Sequence, residues 1–128
     1  MSYKIVRKNE AVVYNPAKHY DMRATRLHTP EDVNAGSLTM GLSHFLPGGG
    51  CEYGSNLKES IYYIVEGEMD LEVEINTSAE IKTTLYAGDS FHCGPGTMKG
   101  IQNNGTVSSQ MIVLLVDPVE KETQGDRK

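Results

Sequence analysis

Residues 68–75, Glu-Met-Asp-Leu-Glu-Val-Glu-Ile, alternate acidic and apolar side chains without a fault. A period of two defines a strand with one buried and one wet face. Asn76-Thr77-Ser78 then reads as a turn, and Ile81 to Tyr86 as the return strand.

Other segments carry the same signature. Leu38, Met40, Leu42, His44 and Leu46 share one face of a strand, and Thr39, Gly41, Ser43 and Phe45 share the other. The first set is the more apolar and is expected to point inward. Pro47-Gly48-Gly49-Gly50 is expected to end that strand. Ser60 to Val65 is a β-branched and aromatic run before a turn at Glu66-Gly67. Met111 to Val116 is apolar on both faces, which predicts a strand covered on both sides. Met22 to Leu27 and Ala11 to Tyr14 are weaker strands. A single helical turn is expected near Thr29-Pro30-Glu31-Asp32-Val33, with Thr29 as cap and Pro30 at the first helical position. Short strands punctuated by glycine and proline predict an all-β sandwich or barrel of about ten strands.

The chain has 128 residues, which fits one domain. Its net charge is −5, with lysines and arginines scattered. A nucleic-acid binder usually carries a basic patch, so neither nucleic acid nor an anionic membrane is an expected partner. No apolar run reaches the roughly 18 residues of a membrane span. The first residues, MSYKIVRKNE, lack the apolar segment of a signal peptide, so a cytoplasmic protein is expected. In that compartment Cys51 and Cys93 are expected to be free thiols.

Two separated motifs then carry a resemblance. Pro47-Gly48-Gly49 opens the first and Ile61-Tyr62-Tyr63-Ile64-Val65-Glu66-Gly67 closes it; Gly88-Asp89 opens the second, followed by Pro95-Gly96 and Asn103-Asn104-Gly105. In order and spacing they resemble the two motifs of the cupin superfamily, small β-barrels of jelly-roll type. The resemblance covers about residues 36–117. It implies a single cupin domain over 1–128, with N-terminal strands and an arm in 1–35 and a loose charged tail in 118–128.

The resemblance fails at the metal ligands. Ser60 stands at the glutamate position, with Glu59 one place early. Tyr53 and Ser55, or with the shorter gap Gly54 and Asn56, stand at the two histidine positions, and Lys99 at the histidine of the second motif. A transition metal wants imidazole, thiolate or carboxylate, and lysine is ordinarily a cation. Neither the usual cupin metal nor another cofactor is therefore expected.

Small barrels commonly hold one ligand in their mouth. The expected inner surface carries His44, Ser60, Tyr62, Lys99 and Cys93, with Tyr53 and Ser55 near the rim. Lys99, as a cation, would pair with a carboxylate or developing enolate. His44 and Glu59 are the titratable partners for proton transfer, so Lys99, His44 and Glu59 form the candidate catalytic set. Tyr53, Ser55, Ser60, Tyr62 and Cys93 are the candidate ligand contacts. His44 also has a reading as a core histidine, and Tyr62 and Cys93 as packing. His92 is expected on the outer face; His19 and His28 receive no role.

Three functions stay open. One is a metal-independent isomerase, lyase or cyclase acting on a small anionic, carboxylated or aromatic metabolite. Another is a binding or sensing module for such a molecule. The third is a cupin with an unusual metal site built from His44, Glu59 and Cys93. A homodimer is expected, because Met111 to Val116 is apolar on both faces and Ile61, Tyr63 and Val65 form a second outward stripe.

Overall fold

The computed structural model of the protein describes residues 2–118. Nine strands form one nearly closed antiparallel barrel, as the alternation and the two motifs predict. They are β1 Val12–Tyr14, β2 His19–His28, β3 Leu38–Gly54, β4 Glu59–Glu66, β5 Glu68–Val73, β6 Ile81–Tyr86, β7 Ser90–Cys93, β8 Lys99–Gln102 and β9 Ser109–Val116. Short 3-10 turns at Lys8–Glu10 and Pro30–Asp32 are the only helical elements among the described residues. The second is the expected turn after Thr29, whose backbone N–H donates to Asp32 Oδ2 at 3.0 Å. No helix among the described residues is long and apolar enough to cross a membrane. Of the expected charged tail, only Pro118 lies within the described residues.

β3 decides the architecture. Its first half pairs with β9 and its second half with β8, while β2 runs along its other side. The strand therefore passes from one sheet of the barrel to the other. Pro47-Gly48-Gly49-Gly50 does not end it, as expected from sequence, but forms its corner. Gly48 adopts φ +87°, a conformation open mainly to glycine. A Cβ on Gly50 would collide with the Ile101 carbonyl oxygen, so the corner packs backbone against backbone. Asn103 pins it from the second motif: Gly48 N–H donates to the Asn103 carbonyl at 2.6 Å, and Asn103 N–H donates to the Gly49 carbonyl at 2.8 Å. The Asn103 side chain is fully buried and donates to the carbonyls of Phe45 and Val107.

The inward face of β3 is the opposite of the expected one. Gly41, Ser43 and Phe45 are buried, while Leu38 and Leu46 are exposed. Directly opposed residues in an antiparallel pair share a face. Ser43 opposes Met111, and Met111 opposes Ile64, so those three point into the barrel. The 68–75 alternation is confirmed over β5, where Met69, Leu71 and Val73 are buried. The strand stops at Val73, two residues short of Ile75, because Glu74 and Asn76 take positive φ and begin the turn. Phe45, Ile64, Met69, Leu71, Leu85, Ile101 and Met111 fill one end of the barrel. Towards the other end, Gly41 and Ser43 contribute almost no side-chain volume, and the barrel stays open.

Candidate anion site in the barrel mouth

The open end is a cavity of about 550 Å³, walled by β2, β3, β4 and β9 and bounded at its mouth by Tyr14 and Pro16. A smaller lobe of about 150 Å³ adjoins it and holds Lys99 and Ser55. The lobes share walls at Ala17, His19, Cys51, Asn56, Tyr62 and Ile101.

Lys99 begins β8 opposite Val73 of β5. Val73 is buried, so Lys99 shares the inward face, as the second motif predicts. Its Nζ lies 5.4 Å from the centre of the Tyr62 ring. A cation over an aromatic face is attracted by the ring quadrupole. Burial raises the Tyr62 phenol above its ordinary pKa, with the Lys99 charge and its hydrogen bond opposing. The phenol therefore stays protonated at neutral pH and keeps a donor for a ligand oxygen. Burial also raises the Cys51 and Cys93 thiols, each opposed by Lys99. Both cysteines are free. Raised thiols are poor nucleophiles; Cys51 lines both lobes, and Cys93 is buried but lines neither.

The other candidates divide. Ser60 and Tyr62 alternate inward on β4, opposite Cys93 and Phe91 of β7. Ser60 is almost completely buried, and its hydroxyl donates to the Lys58 carbonyl at 3.3 Å. Ser55 is exposed at the rim of the smaller lobe. Tyr53 lies outside: its hydroxyl accepts the Ile75 N–H at 2.9 Å, and its Cβ covers Gly100. His44 is also outside, because it opposes Arg23 and Gln110 on the face away from Phe45. Glu59 is outside as well, bonded to His92 at 2.6 Å. His92 sits on the outer face, as expected from its parity. The proton-transfer set Lys99, His44 and Glu59 is thus not assembled.

Two residues that sequence reasoning left unassigned reach the cavity instead. His19 lines both lobes, with Nδ1 2.7 Å from the Ala17 carbonyl. A carbonyl only accepts, so this bond places a proton on Nδ1, and in the neutral ring Nε2 is the acceptor. Arg26 lines the larger lobe, with its guanidinium carbon 4.3 Å above the Tyr14 ring.

The donor set does not fit the metal that cupin barrels imply. The motif positions hold Tyr53, Ser55, Ser60 and Lys99, which are poor or repulsive ligands. The alternative trio does not converge either, since His44 and Glu59 lie outside and Cys93 inside. Among the described residues, no three His, Cys, Asp or Glu side chains come together.

No family model matches the chain. A beta-D-galactosidase of Mycobacterium tuberculosis is 28% identical over 116 residues, covering 91% of this chain and 96% of that protein. A predicted oxalate decarboxylase from Thermotoga maritima superposes with a TM-score of 0.74 at 16% identity, over 90% of this chain and 100% of that one. An RmlC-like cupin from Shewanella frigidimarina gives 0.68 at 16% identity, over 94% of each chain. The Drosophila melanogaster CENP-C cupin domain gives 0.69 at 17% identity, over 90% of this chain and 82% of that one.

With the two motifs on one barrel, these likenesses define the class: the chain has the cupin fold. That fold carries proteins named as enzymes and also a domain seen bound to another protein, CAL1. The fold by itself does not choose between catalysis and binding.

Proposed function

We propose that this cupin binds a small anionic ligand in its barrel, with Lys99 as the anchor and Tyr62 as a hydrogen-bond donor. The observation that carries this reading is an inward lysine in contact with an aromatic ring and with no carboxylate partner among the described residues. Lys99 is half-buried, and a carboxylate ligand would offset the cost of drawing its charge further from water. Among the described residues, carboxylates reach the walls of the two lobes at Glu31, Glu52 and Asp117. Glu31 and Glu52 are exposed, and Asp117 is paired with Lys58 at 2.9 Å.

With His44 and Glu59 outside the barrel, this favours a binding or sensing module over an enzyme. The metal-independent proton-transfer enzyme survives as a second reading, because His19 brings an acceptor nitrogen to the lobe that holds Lys99. Hydrolysis of a galactoside, suggested by one relative's name, is less favoured. Glycosidases generally set two carboxyl groups across the scissile bond, whereas among the described residues the wall carboxylates Glu31 and Glu52 are exposed and Asp117 is paired.

A thermal-shift screen of small carboxylic acids tests the proposal, since a binder of the native state raises the melting temperature. Acids that stabilise wild type but not Lys99→Met are expected. Mass spectrometry of the bound acid after long incubation separates the two readings: an unchanged acid is a ligand, a converted one a substrate. A screen with no Lys99-dependent hit removes both.

The homodimer belongs to this proposal. Met40, Leu42, Ile61, Tyr63, Ile112 and Leu114 oppose one another across β3, β9 and β4 on the outer face. An apolar sheet face of this extent is the kind that a second copy covers.

A further inference from the structure

We infer that the ligand has two separated anionic ends, a dicarboxylate held by Lys99 at one end of the cavity and Arg26 at the other. This rests on the reading of Lys99 as an anion anchor and adds a second anchor to it. Arg26 opposes Gly41, Gly41 opposes Val113, and Val113 opposes Tyr62, against whose ring Lys99 rests. Three strand spacings of about 4.8 Å therefore separate the Arg26 and Tyr62 backbones. Arg26 lines only the larger lobe and Lys99 only the smaller one, so a short chain with a carboxylate at each end would span the two lobes.

The two anchors are built alike. Each cation lies against a tyrosine ring, Lys99 on Tyr62 and Arg26 on Tyr14, and neither has a salt-bridge partner among the described residues. Gly41 lines the larger lobe beside Arg26, and a Cβ there would crowd the Thr25 carbonyl oxygen at 3.1 Å and reach Tyr14 Oη at 4.0 Å. Between the anchors the shared wall is largely uncharged, formed by Cys51, Asn56, Tyr62 and Ile101 with His19. That suits the neutral middle of a diacid. Arg26 is exposed at the mouth, where a guanidinium fork can take a carboxylate in two parallel hydrogen bonds.

Calorimetric titrations with hexanoate, butanedioate, hexanedioate and octanedioate test this. In wild type the best diacid is expected to bind on the order of tenfold tighter than hexanoate, the ratio for one added charged contact. Arg26→Met should erase most of that margin by weakening the diacids more than hexanoate, and Arg26→Lys should restore part of it. Lys99→Met should weaken every acid. Equal affinity for hexanoate and the diacids overturns the inference, and so does an Arg26→Met loss shared equally by all four. Lys99-dependent binding of hexanoate without a diacid margin leaves the single-anchor reading standing. If none of the four acids binds, both fall.

Discussion

Residues 38–46 and residues 88–105 present opposite kinds of sequence information. The first is a plain alternation, and its inward face is the reverse of the more apolar one. The second is irregular, yet its glycines, its proline and Asn103 place Lys99 inside the barrel. The difference is one of constraint. Alternation states that two faces differ but not which is buried, and apolar content decides only when the other face is wet. In β3 the apolar stripe of Met40 and Leu42 faces outward beside Ile112 and Leu114, while the inner stripe is small and lines a cavity. Backbone-dictated residues allow no such inversion. Gly48 at φ +87° and the buried Asn103 are bonded to one another across the corner, so their spacing fixes which residues follow inward.

Neighbouring substitutions in β3 put this contrast to its hardest test. Phe45 is almost fully buried in the packed end of the barrel. Phe45→Ala is expected to cost about 3–5 kcal/mol in urea unfolding, the range for an aromatic core truncation. The adjacent His44→Ala should cost no more than about 0.5 kcal/mol and leave acid binding unchanged. Comparable losses at both sites would mean that the assigned faces are wrong.

A charge on the outer stripe sharpens the same comparison. Leu114 lies between Met40 and Ile61 on that face. Leu114→Glu is expected to halve the mass seen by light scattering while leaving the melting profile of the chain cooperative. A wild-type monomer at every concentration would remove the dimer.

The thiols give the smallest effect. Burial raises Cys51 and Cys93, so less thiolate is present at neutral pH than in the unfolded chain. Alkylation of both in the native protein should be slower than in urea and should accelerate as the pH rises. A native rate matching the unfolded one would contradict the burial of the thiols.

Much of the fold was legible for these reasons, and so was the inward direction of part of the candidate set. Lys99, Tyr62, Ser60 and Cys93 point inward because the frames that located them rest on turns. Tyr53 was misplaced because the β3–β8 pairing loses register between Cys51 and Gly54. A residue count cannot register such an irregularity, and one extra residue swaps inside for outside. Glu59 failed by the parity of a single position, since its neighbour Ser60 takes the inward place. His19 and Arg26 carry no motif. Only their pairing with Cys51 and Gly41, far along the chain, brings them to the cavity.

The most direct test of the barrel as an anion site is calorimetric titration of wild type and Lys99→Met with the acid that gives the largest thermal shift. The variant keeps most of the side-chain length and removes the charge. Its binding is expected to weaken by about 1.5–3 kcal/mol, the range for a hydrogen bond to a charged group, with an unchanged circular dichroism spectrum. Binding as tight as wild type would contradict the assignment and move the site away from Lys99.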